Sequence, residues 1–384
     1  MKRPMRRRDF LALALLSAGA MISVDVTRQR RTQAWLKFLD RQITPAAAAA
    51  SATQKAQTEG TGKLGKGDIF WSVMWPYMHT VGRAEGTVGN AFGISPYQVI
   101  YTYDQFDDFS DHPRRAHPIL DRDGRPTGKV SDAAGWPQFI STTWDQLMQE
   151  NDFWYDGPTF QPANQDLGFL YLHRDTGGHA ALMAGVQVEE LTQRLTVTYD
   201  AFTRAISCDS HQWASLPGAN IGEATGQHTR PLWWLWSEFQ WALWGQMGYR
   251  RKIVHPLGTK TKIIAPMGYQ AWRGATHWGQ DFESAMGGPI VAPEAGVVTR
   301  SDYDPKDGYS LSFRPAAQPE LSLIFQHCQS SSVVALNTRV EAGTLIGRTG
   351  DSGQSITGPH VHIEVTVDGH HINPHYYLGM SQWF

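Results

Sequence analysis

Residues 358–367 read Gly358-Pro359-His360-Val361-His362-Ile363-Glu364-Val365-Thr366-Val367. A Gly-Pro breaker followed by a run rich in β-branched residues predicts a short strand. Side chains alternate along a strand, so His360 and His362 share one face while Val361, Ile363 and Val365 enter a core from the other. A His-x-His pair alone is common on polar surfaces. Further out, His277-x-Gly279-x-Asp281 contributes another imidazole and a carboxylate, and Phe325-Gln326-His327 a further imidazole. Two His nitrogens and one carboxylate oxygen, with the fourth position open, describe a catalytic rather than a structural zinc site. The chain's only cysteines, Cys208 and Cys328, exclude a disulfide framework and a Cys-rich zinc finger. Cys328 adjoins His327, but strand neighbours face opposite ways, so Cys328 is expected in the core rather than as a nucleophile.

Around these motifs, Pro289 to Pro293 with Gly296-Val297-Val298, Leu321 to Phe325, and Val361 to Val367 alternate between turns, which predicts an antiparallel β domain over residues 255–384. These motifs, with Gly343-x-x-Ile346-Gly347-x-x-Gly350-x-Ser352-Gly353 before the last strand and Asn373-Pro374 after it, resemble the lysostaphin/LytM-type zinc endopeptidases over about residues 264–378. That family cleaves the peptide stems or cross-bridges of peptidoglycan. The resemblance implies Zn2+ held by His277, Asp281 and His362, with His327 and His360 flanking the reacting water and the substrate carbonyl. Metal-free relatives have usually lost ligands, and none is lost here. A small departure is Phe325-Gln326-His327-Cys328, where the family commonly shows Tyr-x-His-Leu.

Upstream, Phe70, Trp71, Met74, Tyr77, Met78 and Val81 recur at helical spacing, and the helix should stop at Gly86. Glu85 then lies at a helix-to-loop transition, where a side chain can face a cleft. Trp144 to Met148 and Leu232 to Met247 also have helical spacing, and core packing is the expectation for their many tryptophans. The order Ala84-Glu85-Gly86-Thr87, Phe106-x-Asp108-Phe109-Ser110-Asp111-His112-Pro113-Arg114, Ala134-Gly135 with Gln138-Phe139, Phe160-x-Pro162-x-x-Gln165-Asp166, and Trp213-Ala214-Ser215-Leu216-Pro217-Gly218 resembles the phage lambda endolysin family over about residues 70–245. Those proteins are lysozyme-like lytic transglycosylases that cut peptidoglycan glycan strands, and their catalytic acid falls on Glu85. The chain departs from them in having Gly135-Trp136-Pro137-Gln138 in place of Gly-Arg-Tyr-Gln, which removes a cation and a phenol. Protonating a glycosidic oxygen needs a carboxylic acid. A hydrolase adds a second carboxylate, for which Asp104, Asp107, Asp108 and Asp111 are candidates. A transglycosylase needs only the one acid, because the sugar's own C6 hydroxyl attacks.

The expected organisation of the 384 residues is multidomain. Residues 1–43 form an export signal or membrane anchor and 44–67 an Ala/Gly-rich linker. Residues 68–248 form an α-rich (α+β) lysozyme-like domain and 255–384 a mainly antiparallel β LytM-type domain. Arg7-Arg8-x-Phe10-Leu11 resembles a twin-arginine signal. The apolar run from Phe10 to Val24 is shorter than the roughly 20 residues of a bilayer span, and Ala18-Gly19-Ala20 fits a cleavage site. Residues 1–41 carry ten Lys/Arg against three Asp, so the formal net charge of −2 sums a +7 leader and a −9 remainder, which argues against a nucleic-acid partner. The implied partner is peptidoglycan, both glycan and peptide, met in the periplasm or envelope. The rival expectation is a non-catalytic wall-binding or scaffold protein of a secretion or phage-entry machine. Oligomeric state is not legible in the sequence.

Overall fold

The computed structural model describes residues 64–382, apart from 65, 121–122, 124, 151–153, 155–156, 219–228, 259–260, 355–357 and 380. The expected export segment, and the linker up to residue 63, lie outside the described residues. Among the described residues no helix is long and apolar enough to cross a membrane. The chain divides into two compact units between Tyr249 and Arg250.

The first unit opens with helix α1 (Lys66–Ala84), followed by the hairpin β1 (Val99–Ile100)/β2 (Asp104–Gln105) and the hairpin β3 (His117–Leu120)/β4 (Pro126–Ser131). Helices α2 (Ser141–Glu150), α3 (Pro162–Asp175) and α4 (Gly178–Met183) lead to the hairpin β5 (Val186–Val188)/β6 (Leu195–Val197). Helices α5 (Tyr199–Asp209) and α6 (Leu232–Gln246) complete the unit. The three-and-four spacing read from the sequence is the face by which α1 buries Phe70, Met74, Tyr77, Met78 and Val81, and α1 packs on α6. Pro76 interrupts the α1 ladder, and the Thr80 hydroxyl bonds its carbonyl at 2.8 Å. The α6 stripe supplies Leu235, Trp236, Phe239 and Leu243 to the core, while Trp233, Trp234 and Trp241 are half-buried. The buried Glu238 of α6 would be costly as an unpaired charge, and Arg83 of α1 meets it at 3.1 Å.

The second unit is built on a main antiparallel sheet with three two-stranded pairs. The unit's strands are β7 (Ile253–Val254), β8 (Ile263–Ala265), β9 (Gly268–Gln270), β10 (Ala275–His277), β11 (Gln280–Glu283), β12 (Pro289–Val291), β13 (Gly296–Asp304) and β14 (Gly308–Pro315). There follow β15 (Leu321–Cys328), β16 (Arg339–Val340), β17 (Leu345–Arg348), β18 (His360–Val367), β19 (His370–Ile372), helix α7 (Pro374–Leu378) and β20 (Ser381–Gln382). The main sheet runs β16-β13-β14-β15-β18-β11-β8, with β19 also paired to β18. The two-stranded pairs are β9/β10, β12/β17 and the parallel β7/β20. The decisive stretch is thus a central strand. Val361, Ile363 and Val365 are fully buried on one face with Leu323 and Phe325 of β15, as its alternation predicts. Its other face carries His360, His362, Glu364 and Thr366.

Candidate active sites

The antiparallel register of β11 on β18 sets Asp281 directly opposite His362, so both side chains leave the sheet on the same face. His277 ends β10, and the turn Trp278-Gly279 returns the chain to β11. A Cβ on Gly279 would stand 2.5 Å from the Ile363 carbonyl oxygen and 2.6 Å from His362 Nε2, so this turn can pass β18 only with glycine. His277 Nε2, Asp281 Oδ1 and His362 Nδ1 converge, with His277 to Asp281 at 3.1 Å, His277 to His362 at 3.0 Å and His362 to Asp281 at 2.7 Å. Among the described residues this is the one group of three or more His, Cys, Asp or Glu that could hold a metal ion.

The outer contacts decide what these atoms offer. His277 Nδ1 faces the Pro266 carbonyl at 3.0 Å, and a carbonyl can only accept, so the proton sits on Nδ1 and Nε2 presents a lone pair. His362 Nε2 donates to Glu364 at 3.2 Å, which turns the Nδ1 lone pair inward. Glu364 is held in turn by His371 Nε2 at 2.8 Å, and the His371 ring lies tilted against Trp278 with centroids 5.2 Å apart. The outer oxygen of Asp281 faces Arg273 at 3.3 Å. Two nitrogen lone pairs and a carboxylate oxygen aimed at one another repel unless a cation lies among them. A proton can serve as that cation: burial opposes charge on His362, yet hydrogen bonds to Asp281 and Glu364 push its pKa up to about 9, so a metal would displace the Nδ1 proton to reach the lone pair. Burial likewise raises the Asp281 pKa, but its hydrogen bonds to the two imidazoles outweigh this and hold it well below the usual carboxylate range. Donors on a tetrahedral zinc at about 2.0–2.1 Å stand about 3.3 Å apart, so this set fits zinc with little movement.

His327 and His360 lie beside this cluster with ring centroids 4.7 Å apart, and the His327 ring is 6.3 Å from that of His362. Each donates Nδ1–H to a carbonyl, His327 to Ser352 at 3.0 Å and His360 to Gly358 at 2.8 Å, so both Nε2 atoms are left as bases. Desolvation lowers the pKa of His327, favouring this neutral form. His327 has φ +61°, and the β14–β15 register slips between Tyr309 and Leu311 beside it. This bulge re-aims the imidazole at a backbone cost that an ordinary strand residue avoids. Cys328 is fully buried, and burial pushes its thiol up to about 12, so it is a core residue and not a nucleophile.

In the first unit, α1 ends at Ala84, and Gly86 (φ +77°) closes its last turn, leaving the half-buried Glu85 at the corner. The Ser215 hydroxyl donates to Glu85 Oε1 at 2.5 Å. Separated motifs therefore meet here. The Thr87 hydroxyl donates to the Trp136 carbonyl at 2.7 Å, and Trp213 Nε1 donates to the Pro137 carbonyl at 2.9 Å. The four candidate second carboxylates are engaged locally. Asp104 faces Arg115, Asp107 accepts from Gln98, Asp108 caps Ser110, and Asp111 pairs with Arg114. Trp136, where the endolysin pattern has a cation, is buried and donates Nε1–H to Asp166 at 2.8 Å, and Tyr97 donates to the same carboxyl at 3.1 Å.

Residues 76–243 match the family model Endolysin, and residues 275–374 match the model of peptidase family M23. The Endolysin match thus falls in the first compact unit and the M23 match in the second. The DD-carboxypeptidase/endopeptidase Mpg of Neisseria meningitidis is 32% identical over 127 residues, which are 32% of this chain and 28% of that protein. The peptidoglycan DD-endopeptidase ShyC of Vibrio cholerae is 36% identical over 98 residues, 26% of this chain and 22% of its own. The chain thus spans about a quarter of the curated relatives it matches. Bacteriophage lambda lysozyme complexed with a chitohexasaccharide is 24% identical, covering 44% of this chain and 91% of that one, with a TM-score of 0.33. Zinc is the cofactor of the M23 domain, and its His-Asp-His set fits that metal.

The M23 domain brings all five sequence-predicted residues into one face, and in the endolysin domain Glu85 meets the Trp-Ala-Ser-Leu-Pro motif. Sequence reasoning assigned no role to Glu364 or His371. Period two places Glu364 on the ligand face, which was a usable signal, whereas His371 becomes visible only once β19 folds back on β18.

Proposed function

We propose that the protein is a bifunctional peptidoglycan hydrolase, with the M23 domain cutting peptide stems or cross-links and the endolysin domain cutting glycan strands. The observation that carries the first half is the convergence of three outward-fixed donors beside two Nε2 bases. His277, Asp281 and His362 would hold the metal. When bound, zinc acidifies water and polarises a carbonyl. His327 and His360 are placed to take the proton of the attacking water and then to donate hydrogen bonds to the developing oxyanion. In the endolysin domain Glu85 protonates the leaving glycosidic oxygen, with Ser215 fixing one carboxyl oxygen. Local engagement of the four aspartates supports the one-carboxylate transglycosylase route. The domain bounds are 68–248 and 255–384, and the working place is the cell envelope.

Digestion of purified peptidoglycan, with fragments weighed by mass spectrometry, tests both halves. Glu85→Gln should remove glycan cleavage, at least 100-fold, and leave chelator-sensitive peptide cleavage, while His362→Ala should do the reverse. Glycan products should be lighter by one water than hydrolysis products. Release of no fragments with zinc present would favour a wall-binding scaffold instead.

A further inference from the structure

The loop after Glu85 and the tip of the β1–β2 hairpin place two exposed aromatic rings together beside that carboxylate. Phe92 is 67% exposed and Tyr103 is 42% exposed, with ring centroids 4.9 Å apart. A Cβ on Gly86 would stand 2.8 Å from the Tyr103 hydroxyl, so the phenol reaches the corner that carries Glu85. Neither ring is loosely hung. The Asn90 amide pins the 87–94 loop at four points: its nitrogen donates to the carbonyls of Thr87 (2.9 Å) and Ile94 (2.7 Å), and its oxygen accepts from the backbone of Phe92 and Ile94 (both 3.1 Å). Tyr103 is fixed by its backbone. Thr102 and Tyr103 both have left-handed φ, +73° and +63°, a conformation that glycine would take without strain. A β-branched residue and an aromatic one at consecutive left-handed positions hold an unfavourable turn whose result is to present the Tyr103 ring.

Two large rings exposed together beside a carboxylate form an apolar patch that needs a reason. We propose that Phe92 and Tyr103 form an aromatic platform that stacks a pyranose ring of the glycan strand beside Glu85. The faces of a pyranose carry C–H groups that pack on a π surface, and the Tyr103 hydroxyl, which has no hydrogen-bond partner among the described residues, can donate to and accept from sugar hydroxyls. Such a platform holds the strand in register so that the scissile oxygen meets the acid, which is a positioning contribution. It also supplies an aromatic contact to the sugar that the Gly135-Trp136-Pro137-Gln138 loop does not, since Trp136 is buried. The inference rests on the glycan-cutting reading of Glu85.

The test uses the full chain carrying Glu85→Gln, so that substrate binds without turnover, and a soluble peptide-free oligomer of N-acetylglucosamine and N-acetylmuramic acid as probe, with affinity read by calorimetry. Phe92→Ala and Tyr103→Ala should each weaken binding about five- to tenfold, and Tyr103→Phe should lose less. On the Glu85 background the same substitutions should raise KM more than they lower kcat. Tyr103→Gly removes the ring while suiting the turn, so it should bind as weakly as Tyr103→Ala with Tm kept or raised. Chelator-sensitive peptide cleavage should be unchanged in all of them. Undiminished affinity in Phe92→Ala and Tyr103→Ala overturns the platform while leaving the Glu85 reading intact. A chain that cuts glycan strands without binding the oligomer also overturns it, and a chain that neither binds nor cuts them overturns both.

Discussion

Three ligand atoms are a small part of what fixes the metal site. The tautomers of His277 and His362 are set by an outward carbonyl and an outward carboxylate, and without these the inward lone pairs would be free to turn over. Glu364 bears the larger share because it bonds two imidazoles, one on each oxygen. Those bonds hold its carboxyl down to about 2 against the opposing effect of burial, so it stays charged wherever the enzyme works. Glu364→Ala is expected to weaken zinc binding 10- to 100-fold, measured by competition with a chelating dye, and Glu364→Gln, which keeps a neutral acceptor, to weaken it less. Unchanged zinc affinity in both would mean that Glu364 does not orient the metal ligands. The same residue marks the limit of sequence reading at this scale. His277, Asp281, His327, His360 and His362 announce themselves through residue type and spacing, whereas an outer partner such as His371 is one more histidine until its strand is placed.

At the scale of elements, legibility followed periodicity. The α1 stripe and the β18 alternation were readable because burying one face imposes a period on the residues. Helix α3 carried no equally clean stripe, because its buried positions include Asn164, Gln165 and His173, whereas α5 buries Ala201, Phe202, Ala205 and Ile206 at helical spacing that the sequence reading passed over. The bulge at His327 leaves no mark in the residues, since it depends on the register of two partners. The contact between α3 and the Gly135–Gln138 loop was equally hidden. Gln165 and Asp166 both reach that loop, Gln165 accepting from the Trp136 backbone and Asp166 from its indole. Burial pushes the Asp166 carboxyl up to about 7 despite the hydrogen bonds from Trp136 and Tyr97, which act the other way. An unfolded aspartate titrates near 4, so between about pH 4 and 7 the unfolded chain sheds a proton that the folded chain keeps. Stability from this contact is therefore full below about pH 4 and falls as pH rises to about 7. Asp166→Asn should match the native chain at pH 4 and exceed it at pH 8 by roughly 1–2 kcal/mol, a value kept below the full shift because the residue is only half-buried. Parallel Tm–pH curves for the two chains would show that the carboxyl ionises freely in the fold.

At the scale of the molecule, two compact units carry two candidate sites, and among the described residues only the second unit holds a metal-ligand set. The core of the first unit is a continuous aromatic and aliphatic interior in which Trp144, Trp236, Trp244, Phe169 and Phe202 are almost completely buried, and the metal-binding group lies outside it. In the second unit, β10, β11 and β18 all converge on the ligand cluster, so an ion there ties a hairpin to the central sheet and binds the folded form far better than the unfolded one. Zinc at about 100 times its dissociation constant adds about 2.7 kcal/mol to stability. For a unit of this size that corresponds to about 10 °C in Tm. Scanning calorimetry of the full chain should therefore resolve two transitions, of which chelation lowers one by about that amount and leaves the other in place. His362→Ala should lower the same transition and make it insensitive to chelator. A chelator that moved both transitions together would mean that the two units unfold as one, and one that moved neither would remove the metal from the His277-Asp281-His362 cluster altogether.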